Sequence, residues 1–490
     1  MKVAFLPLDD RPVTRGAFLA LAGAAGIEVA TPPRAMLGVR RHPADVEALW
    51  GWVEGEGADA DVLIASAELL IYGGLVPSRI GHESLDRCLR LAARFADARR
   101  RAPHRQILVS ASNLRLPCTA DASEEPEYWS EHGPEIFAYS YHTDRFAETG
   151  AAASQEQAAS ARAALPRTVL ADVLARRTRN LTVLLALVAH ASRGEVDGLL
   201  IGQDDAAEYG LTRRDLRAVE AAIVDRGVAL RAWVSYGTDE LAVRLLARAQ
   251  LAAQGQTPPV RVVYAYPDHR DAIPRYEGQS LDRTLTSHIL TVGARRVERG
   301  ETLTLFVHNF PGTQQEAPFQ EPYDPQVLVP FLSAMAAAAA CDHPFAVADV
   351  RYSNGADRTF VEQLLKVPRA AAMRAYGGWN TASNTIGMAL AQALLPSGPD
   401  SQVFTLIRFL DDWAYQADVR QRLAADVVPR YPGATPAHLG AALDACTAAA
   451  RRWFEGEFVP ALVACFGRRI AVTTIGFPWE RLFEIEVAVA

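Results

Sequence analysis

Cysteine is scarce in this sequence, and its few copies are scattered. The 490 residues include five cysteines, none of them in a CxxC pair: Cys88, Cys118, Cys341, Cys446 and Cys465. Closely spaced cysteine pairs are the usual sequence sign of a structural zinc site or a disulfide framework. We therefore expect no structural zinc and a reducing compartment, most simply the cytoplasm.

Long apolar runs and basic blocks are missing as well. The first apolar run, Val3 to Leu8, is far shorter than the core of a signal peptide and ends at Asp9 and Asp10. No later apolar run reaches the roughly 20 uncharged residues that a membrane helix needs. The chain has 50 basic and 57 acidic residues, a net charge of −7, without a concentrated basic stretch, whereas nucleic-acid binders carry a basic face. We expect neither a membrane nor a nucleic acid as partner, and the sequence predicts no oligomeric state.

The sequence does contain an ordinary globular composition, 50% hydrophobic and 22% charged, in which short apolar runs alternate with helical stretches. Such alternation is typical of parallel strands joined by crossover helices. We predict an α/β fold with a (β/α)8-type barrel in residues 1–311 and an α/β-helical region in residues 312–490 that contributes substrate contacts; a doubly wound open sheet is the alternative. The eight predicted strands of the first region are Val3 to Leu8, Ile27 to Ala30, Val62 to Ser66, Ile107 to Ser110, Gly198 to Ile201, Leu230 to Ser235, Val260 to Tyr264 and Leu303 to Val307.

Helices are predicted in the intervals and in the C-terminal region. They are His42 to Glu54, Ser84 to Arg101, Gln155 to Ser192, Thr212 to Arg226, Asp239 to Ala253, Leu281 to Arg299, Ala382 to Leu395, Leu406 to Ala424 and Pro436 to Cys465. Further strands are predicted at Phe345 to Val350, Ile470 to Ile475 and Phe483 to Val489.

Polar side chains follow nearly every predicted strand, where barrels and open sheets both carry their active sites. In Gly198-Leu-Leu-Ile-Gly-Gln-Asp-Asp205, two carboxylates follow an apolar strand. Aspartate also caps helices, but one cap needs only one carboxylate. Two close carboxylates do not both ionise readily, so one can serve as a general acid while the other stays charged, as glycosidic bond cleavage requires. We predict Asp204 and Asp205 as the catalytic pair.

Asp239 and Glu240 are the alternative catalytic pair, although the start of the following helix explains two acids there as well. Other polar and aromatic residues at predicted strand ends and glycine-rich turns are predicted to contact substrate hydroxyls and sugar faces. They are Asp9, Asp10, Arg11, Tyr72, Asn113, His308, Asn309, Trp379, Asn380 and Asn384. Salt bridging would explain Asp9, Asp10 and Arg11 equally well. A tight turn before a capped helix would explain Trp379, Asn380 and Asn384.

Motifs for metals and activated nucleophiles are missing. The eleven histidines form no HxH, HExxH or HxxxH pattern, and neither a GxSxG elbow nor a P-loop occurs. We expect no metal and no organic cofactor. Two other classes stay open: a metal-dependent hydrolase or lyase, and a non-enzymatic carbohydrate-binding protein. In the first, Asp9, Asp10, Asp204, Asp205 and His308 would gather Mg²⁺ or Mn²⁺.

Five motifs, taken together and in this order, resemble the bacterial domain-of-unknown-function family 4127 over almost the whole chain. They are Pro7-Leu-Asp-Asp-Arg-Pro12, Tyr72-Gly-Gly-Leu-Val-Pro-Ser-Arg79, Gly202-Gln-Asp-Asp-Ala206, Gly237-Thr-Asp-Glu240 and Gly378-Trp-Asn-Thr-Ala-Ser-Asn-Thr385. This resemblance favours β-linked N-acetylgalactosamine as the substrate.

The Asp-Asp motif at a strand end is also similar to that of glycoside hydrolase family 84, whose barrel enzymes remove N-acetylhexosamines. That resemblance implies a retaining exo-β-N-acetylhexosaminidase in which the substrate's own acetamide is the nucleophile. Asp204 would orient the acetamide, and Asp205 would be the general acid and base. In family 84 the pair follows the fourth barrel strand, whereas here it follows the fifth predicted strand. The Asp-Glu pair of families 20 and 123 is similar to Asp239 and Glu240.

Overall fold

The computed structural model describes residues 1–398 and 400–490, and these form two compact units. The first unit comprises residues 1–10, 27–245 and 276–279; the second comprises residues 11–26, 246–275 and 280–490. Each unit is built around its own parallel β-sheet with helical crossovers. The predicted α/β class is therefore confirmed.

The first unit contains a six-stranded parallel sheet in the order β2-β1-β3-β4-β5-β6. Its strands are β1 (Lys2–Leu6), β2 (Glu28–Ala30), β3 (Val62–Ser66), β4 (Gln106–Asn113), β5 (Gly198–Gln203) and β6 (Ala232–Tyr236). Every residue of β3 and β5 is buried, as expected for parallel strands covered on both faces. The chain leaves β1 on one side for β2 and returns on the other side for β3, so the strand order reverses between β1 and β3. Open α/β sheets bind ligands at the carboxyl ends of the strands beside such a reversal.

Helices that belong to the first unit surround this sheet. They are α2 (Val46–Glu54), α3 (Ala67–Tyr72), α4 (Leu75–Ile80), α5 (Leu85–Arg101), α6 (Trp129–Thr149), α7 (Ala152–Ala164), α8 (Arg167–Ser192) and α9 (Leu211–Asp225). Helix α1 (Ala17–Ala24) belongs to the second unit, and α10 (Leu241–Ala253) begins in the first unit and ends in the second. Phe95 and Leu187, which belong to two of the helices of the first unit, pack with Leu63 and Ile107 of the sheet.

The second unit contains a five-stranded parallel sheet whose order, β8-β7-β9-β11-β13, repeats the second-first-third-fourth-fifth pattern. Its strands are β7 (Pro259–Tyr264), β8 (Arg295–Arg296), β9 (Leu303–His308), β11 (Phe345–Asp349) and β13 (Ala375–Gly377). Two short pairs accompany it: β10 (Gln315–Glu316) with β12 (Tyr352–Ser353), and the antiparallel β14 (Val472–Gly476) with β15 (Glu486–Val489).

Helices cover both faces of the second sheet. Leu305 and Val307 of β9 pack with Ile289 on one face, whereas Phe306 points to the opposite face and packs against Phe331. The helices are α11 (Leu281–Thr291), α12 (Val329–Ala340), α13 (Arg358–Leu364), α14 (Ala382–Leu394), α15 (Ser401–Arg408), α16 (Arg420–Arg422), α17 (Leu443–Trp453) and α18 (Val459–Phe466). Segments of π-helix occupy Pro12–Gly16, Phe409–Val419, Leu423–Val427 and Phe454–Phe458.

All eight predicted strands of the first region exist, but they do not form one sheet. The first six build the sheet of the first unit, and the last two, β7 and β9, belong to the second sheet. Among the described residues no pairing closes either sheet into the predicted barrel, and the strand order is that of the alternative, the doubly wound open sheet. The boundary predicted at residue 311 falls within the second unit.

The helix predictions were wrong in several places, and the two largest differences lie between β4 and β5. Helix α6 was not predicted, because Gly133 and Pro134 interrupt its sequence. The helix predicted from Gln155 to Ser192 is two helices, α7 and α8, separated at Leu165 and Pro166. A residue before proline avoids helical geometry, and Leu165 is accordingly extended, with φ −86° and ψ 133°.

Candidate active site

The acids that the sequence places after strands lie along the carboxyl edge of the six-stranded sheet. Asp9 and Asp10 follow β1, Glu68 follows β3, and Asp204 and Asp205 follow β5. Because all strands of this sheet are parallel, these residues share one edge of the first unit. That edge is where open α/β sheets carry ligand sites.

Asp204 and Asp205 belong to a group of charged side chains that we call the acid cluster: Arg79, Arg115, Glu124, Glu125, Asp204 and Asp205. Arg79 donates from Nη2 to Asp204 Oδ2 at 2.5 Å and from Nη1 to Glu124 Oε2 at 2.7 Å. Arg115 donates from Nη1 to Asp205 Oδ2 at 3.0 Å and from Nε to Glu125 Oε1 at 2.7 Å. Arg115 also donates from Nη2 to Glu124 Oε2 at 3.2 Å. Each arginine therefore links one of the predicted catalytic acids to the glutamates of the cluster.

The acid cluster leaves its two aspartates in different environments. The side chain of Asp204 is 16% exposed and that of Asp205 is 29% exposed, so a substrate can reach both, and Asp205 more easily. Burial, and after it the charge of Asp204, raise the pKa of Asp205 from 3.8 to about 6. A carboxyl group with this pKa can donate a proton near neutral pH and take it back.

Glycines explain how Arg79 reaches the cluster. Gly73 and Gly74 connect α3 to α4 with φ values of 84° and 141°, which residues with a side chain rarely adopt. A Cβ atom at Gly73 would also lie 2.7 Å from Pro43 Cβ. Arg79, near the end of α4, is buried.

Tyr72, predicted as a substrate contact, is buried beside that turn. The guanidinium of Arg179 lies 5.1 Å from the centre of its ring, and Arg179 also donates to the carbonyl of Ser78 at 2.8 Å. Arg179 thus connects Tyr72 to α4, the helix that contains Ser78 and Arg79.

Glu68 is another carboxyl group with an altered pKa at this edge. Its Oε1 accepts the Ser112 N–H at 2.6 Å, and its Oε2 accepts the Ser66 hydroxyl at 2.9 Å. Burial raises the pKa of Glu68 from 4.5 to about 7. Glu68 lies beside the reversal of strand order between β1 and β3.

Asn113 and Asp10 make structural contacts within the first unit. Asn113 donates to Gln203 Oε1 at 2.7 Å and to the carbonyl of Thr212 at 2.8 Å, which ties β4 to β5 and α9. Asp10 is buried and accepts Arg34 Nη2 at 3.2 Å.

Glu240, of the alternative pair, lies in a buried ion pair with Arg244 at 3.0 Å, and Asp239 beside it is buried as well. Gly237 adopts φ 97°, and a Cβ atom there would collide with the Glu240 carboxylate. Neutralising Arg244 accounts for Glu240 without a catalytic role.

The other predicted site residues belong to the second unit. Arg11 donates to Glu484 Oε1 at 2.7 Å. His308 Nδ1 lies 3.1 Å from Asp349 Oδ1, and Asn309 binds the backbone N–H and carbonyl of Tyr266, each at 2.9 Å. Both His308 and Asn309 are fully buried.

The glycine-rich turn after β13 carries the last three predicted contacts. Trp379 packs against the ring of Phe483 at 5.8 Å, and Asn380 adopts φ 72°. Asn384 lies in the first turn of α14, where Thr381 caps its N–H. The structure thus distributes the predicted residues over both units and groups Asp204 and Asp205 with four charged residues of the first unit.

A family model described as a protein of unknown function, DUF4127, matches residues 3–488. The chain belongs to the DUF4127 family. The match spans the sheets of both units of this DUF4127 protein, so the resemblance inferred from its five motifs is confirmed. Neither the curated proteins nor the solved structures gave a match to the chain.

In residues 1–398 and 400–490 of this DUF4127 protein, every helix is too short or too polar to span a bilayer. In the same part of the chain, no three or more His, Cys, Asp or Glu side chains are arranged to hold a metal ion.

Sequence reasoning missed Glu124 and Glu125, which belong to a segment between β4 and α6 without helical or strand periodicity. Arg79 was noticed only as the end of a motif, because 125 residues separate it from Asp204. The available signal was an arginine at the end of the segment that the paired glycines Gly73 and Gly74 begin.

Proposed function

We propose that the protein is a glycoside hydrolase, a retaining exo-β-N-acetylhexosaminidase that acts on β-linked N-acetylgalactosamine. The observation that carries the proposal is the difference between two adjacent carboxyl groups at one sheet edge. Asp204 is held by Arg79 at 2.5 Å, and the pKa of Asp205 is raised to about 6. Substrate-assisted cleavage needs one carboxylate that orients and one carboxyl group that exchanges a proton.

In the first step, the acetamide oxygen of the substrate attacks the anomeric carbon and the bond to the leaving oxygen breaks. Asp205 donates its proton to that oxygen, and the Asp204 carboxylate accepts the acetamide N–H, which stabilises the positive charge on the cyclising group. In the second step, Asp205 takes a proton from water, and the water oxygen bonds to the anomeric carbon from the side that the leaving group occupied. The bond between that carbon and the acetamide oxygen breaks at the same time, which restores the acetamide. The two inversions give net retention.

The sheet architecture is compatible with this chemistry. A (β/α)8 barrel is not needed, since the carboxyl edge of an open parallel sheet hosts active sites equally well. The mechanism uses no metal and no organic cofactor. A cytoplasmic location is part of the proposal, because the five cysteines are free thiols that a reducing compartment would preserve.

A panel of nitrophenyl glycosides tests the proposal. We expect the wild type to release nitrophenol from N-acetyl-β-hexosaminides, the galactosaminide first, and to be inhibited strongly by a thiazoline that mimics the cyclic intermediate. Asp204→Asn should slow the reaction by about 100-fold or more, the usual size for a positioned charged group. Asp86→Asn, the same change at an exposed position of α5, is the matched control and should leave the rate unchanged. Activity only on substrates without an acetamide would refute the proposal.

A further inference from the structure

The second unit contains a pocket of about 410 Å³, which we call the Arg351 pocket. Phe310, Gln315, Phe319, Tyr323, Arg351 and Tyr352 are among its lining residues. Its lining residues come after β9 and β11 in the chain, so the pocket lies at the carboxyl edge of the second sheet. The volume is within the range of ligand clefts, roughly 300–1,000 Å³.

The walls of the Arg351 pocket are fixed to each other by hydrogen bonds. Gln315 and Tyr352 pair in the short parallel ladder of β10 and β12. Gln314 donates from Nε2 to the carbonyl of Val350 at 2.7 Å, and Gln320 donates likewise to the carbonyl of Ala356 at 2.7 Å. A pocket whose walls are already ordered loses little conformational entropy when a ligand binds.

An exposed aromatic side chain, Phe319, lines this pocket. Phe319 is 70% exposed, although a phenylalanine normally buries most of its large apolar surface. An aromatic face open to solvent beside a polar pocket is the arrangement on which the apolar face of a sugar ring can stack. Tyr323 adds a second, half-buried ring.

The positive charge of Arg351 is neutralised within the Arg351 pocket. Arg351 Nε lies 3.1 Å from Asp357 Oδ2, and its guanidinium lies 4.1 Å from the ring centre of Tyr323. Tyr323 donates its hydroxyl to the same Asp357 oxygen at 2.7 Å. Glu321 also lines the pocket, so an anionic ligand would meet a carboxylate without an uncompensated cation. These contacts favour a neutral ligand with many hydroxyl groups.

We propose that the Arg351 pocket binds one unit of a neutral saccharide, with Phe319 stacked on the sugar ring and with Gln315 and Tyr352 bonded to its hydroxyls. This is a carbohydrate site of the second unit. It extends the proposed function by a second sugar contact, but sugar binding there does not require the acid cluster to be catalytic.

Hydrogen-deuterium exchange of the full chain tests this site. The probes are N-acetyl-D-galactosamine, N-acetyl-D-glucosamine, D-galactose and D-glucose, with D-galacturonate as the anionic probe. We expect at least one neutral sugar to slow exchange in peptides covering residues 310–323. Peptides covering residues 198–205 report binding at the acid cluster separately, so failure of this inference and failure of the proposed function are distinguishable.

Two matched variants locate the effect. Phe319→Ala should raise the dissociation constant read from residues 310–323 by about tenfold, or about 1.4 kcal/mol. Leu290→Ala, which removes another exposed apolar side chain from the second unit, should leave it unchanged. The inference is overturned if no neutral sugar protects residues 310–323, if D-galacturonate protects them more strongly than every neutral sugar, or if Phe319→Ala binds like the wild type.

Discussion

Replacing Glu68 by glutamine should make the protein more stable at neutral and alkaline pH. The side chain is 4% exposed, and its two oxygens accept hydrogen bonds from Ser112 N–H and Ser66 hydroxyl. Glutamine has the same shape, and its oxygen can keep the bond to Ser112 while its NH₂ group donates to Ser66. The substitution therefore removes a buried ionisable group and preserves its contacts.

The magnitude follows from the pKa of Glu68, which burial raises from 4.5 to about 7. In the unfolded chain this carboxyl group ionises near pH 4.5, whereas in the folded protein it stays protonated until about pH 7. Its contribution to stability is therefore complete below pH 4.5 and is lost as the pH rises to about 7. At about 1.4 kcal/mol for each unit of pKa, the loss is about 3 kcal/mol.

Urea unfolding at a series of pH values measures this loss. The free energy of unfolding of Glu68→Gln, minus that of the wild type, should rise by about 3 kcal/mol between pH 4.5 and pH 7.5 and then level off. Glu156→Gln, the same change at an exposed position of α7, should show a constant difference near zero. Parallel pH curves for Glu68→Gln and the wild type would refute the reasoning.

Three other outcomes follow from the candidate site. With an alkyl N-acetylhexosaminide, kcat/KM should fall about tenfold per pH unit above pH 6, since Asp205 with its pKa of about 6 must be protonated to act as the acid; a flat profile to pH 8 would contradict this role. Glu240→Gln should lower the free energy of unfolding by about 3–5 kcal/mol, because it removes the carboxylate that neutralises the buried Arg244, and a fully stable but inactive variant would instead make Glu240 catalytic. Dialysis against EDTA should leave the rate unchanged, and a loss restored by Mg²⁺ or Mn²⁺ would favour a metal-dependent hydrolase.

The local parts of the fold could be predicted from the sequence, but the sheet assignment could not. Apolar runs such as Val62 to Ser66 are long enough and β-branched enough to mark a strand by themselves. Whether β7 pairs with β6 or begins a second sheet depends on contacts between distant residues, and the alternation of strands and helices is identical in both cases. The sequence therefore predicted the strands but not their division between a six-stranded and a five-stranded sheet.

The candidate site could likewise be predicted only where it depends on neighbouring residues in the sequence. Two acids after an apolar strand can be recognised locally, and Asp204 and Asp205 were found in this way. Their partners come from elsewhere in the chain: Arg79 from α4, and Glu125 from a segment without periodicity. The pKa of Asp205 is set by burial and by its neighbours, and neither can be read from residue types alone.

The role of Asp205 is tested most directly by comparing leaving groups. We expect Asp205→Asn to lower kcat/KM for methyl N-acetyl-β-D-galactosaminide by about 100-fold or more, because a methoxide must be protonated as it departs. The same variant should lose far less with the 4-nitrophenyl glycoside, since nitrophenolate departs with little protonation. Equal losses with both substrates, or a wild type that cleaves neither, would contradict the assignment of Asp205 as the general acid of a β-N-acetylhexosaminidase.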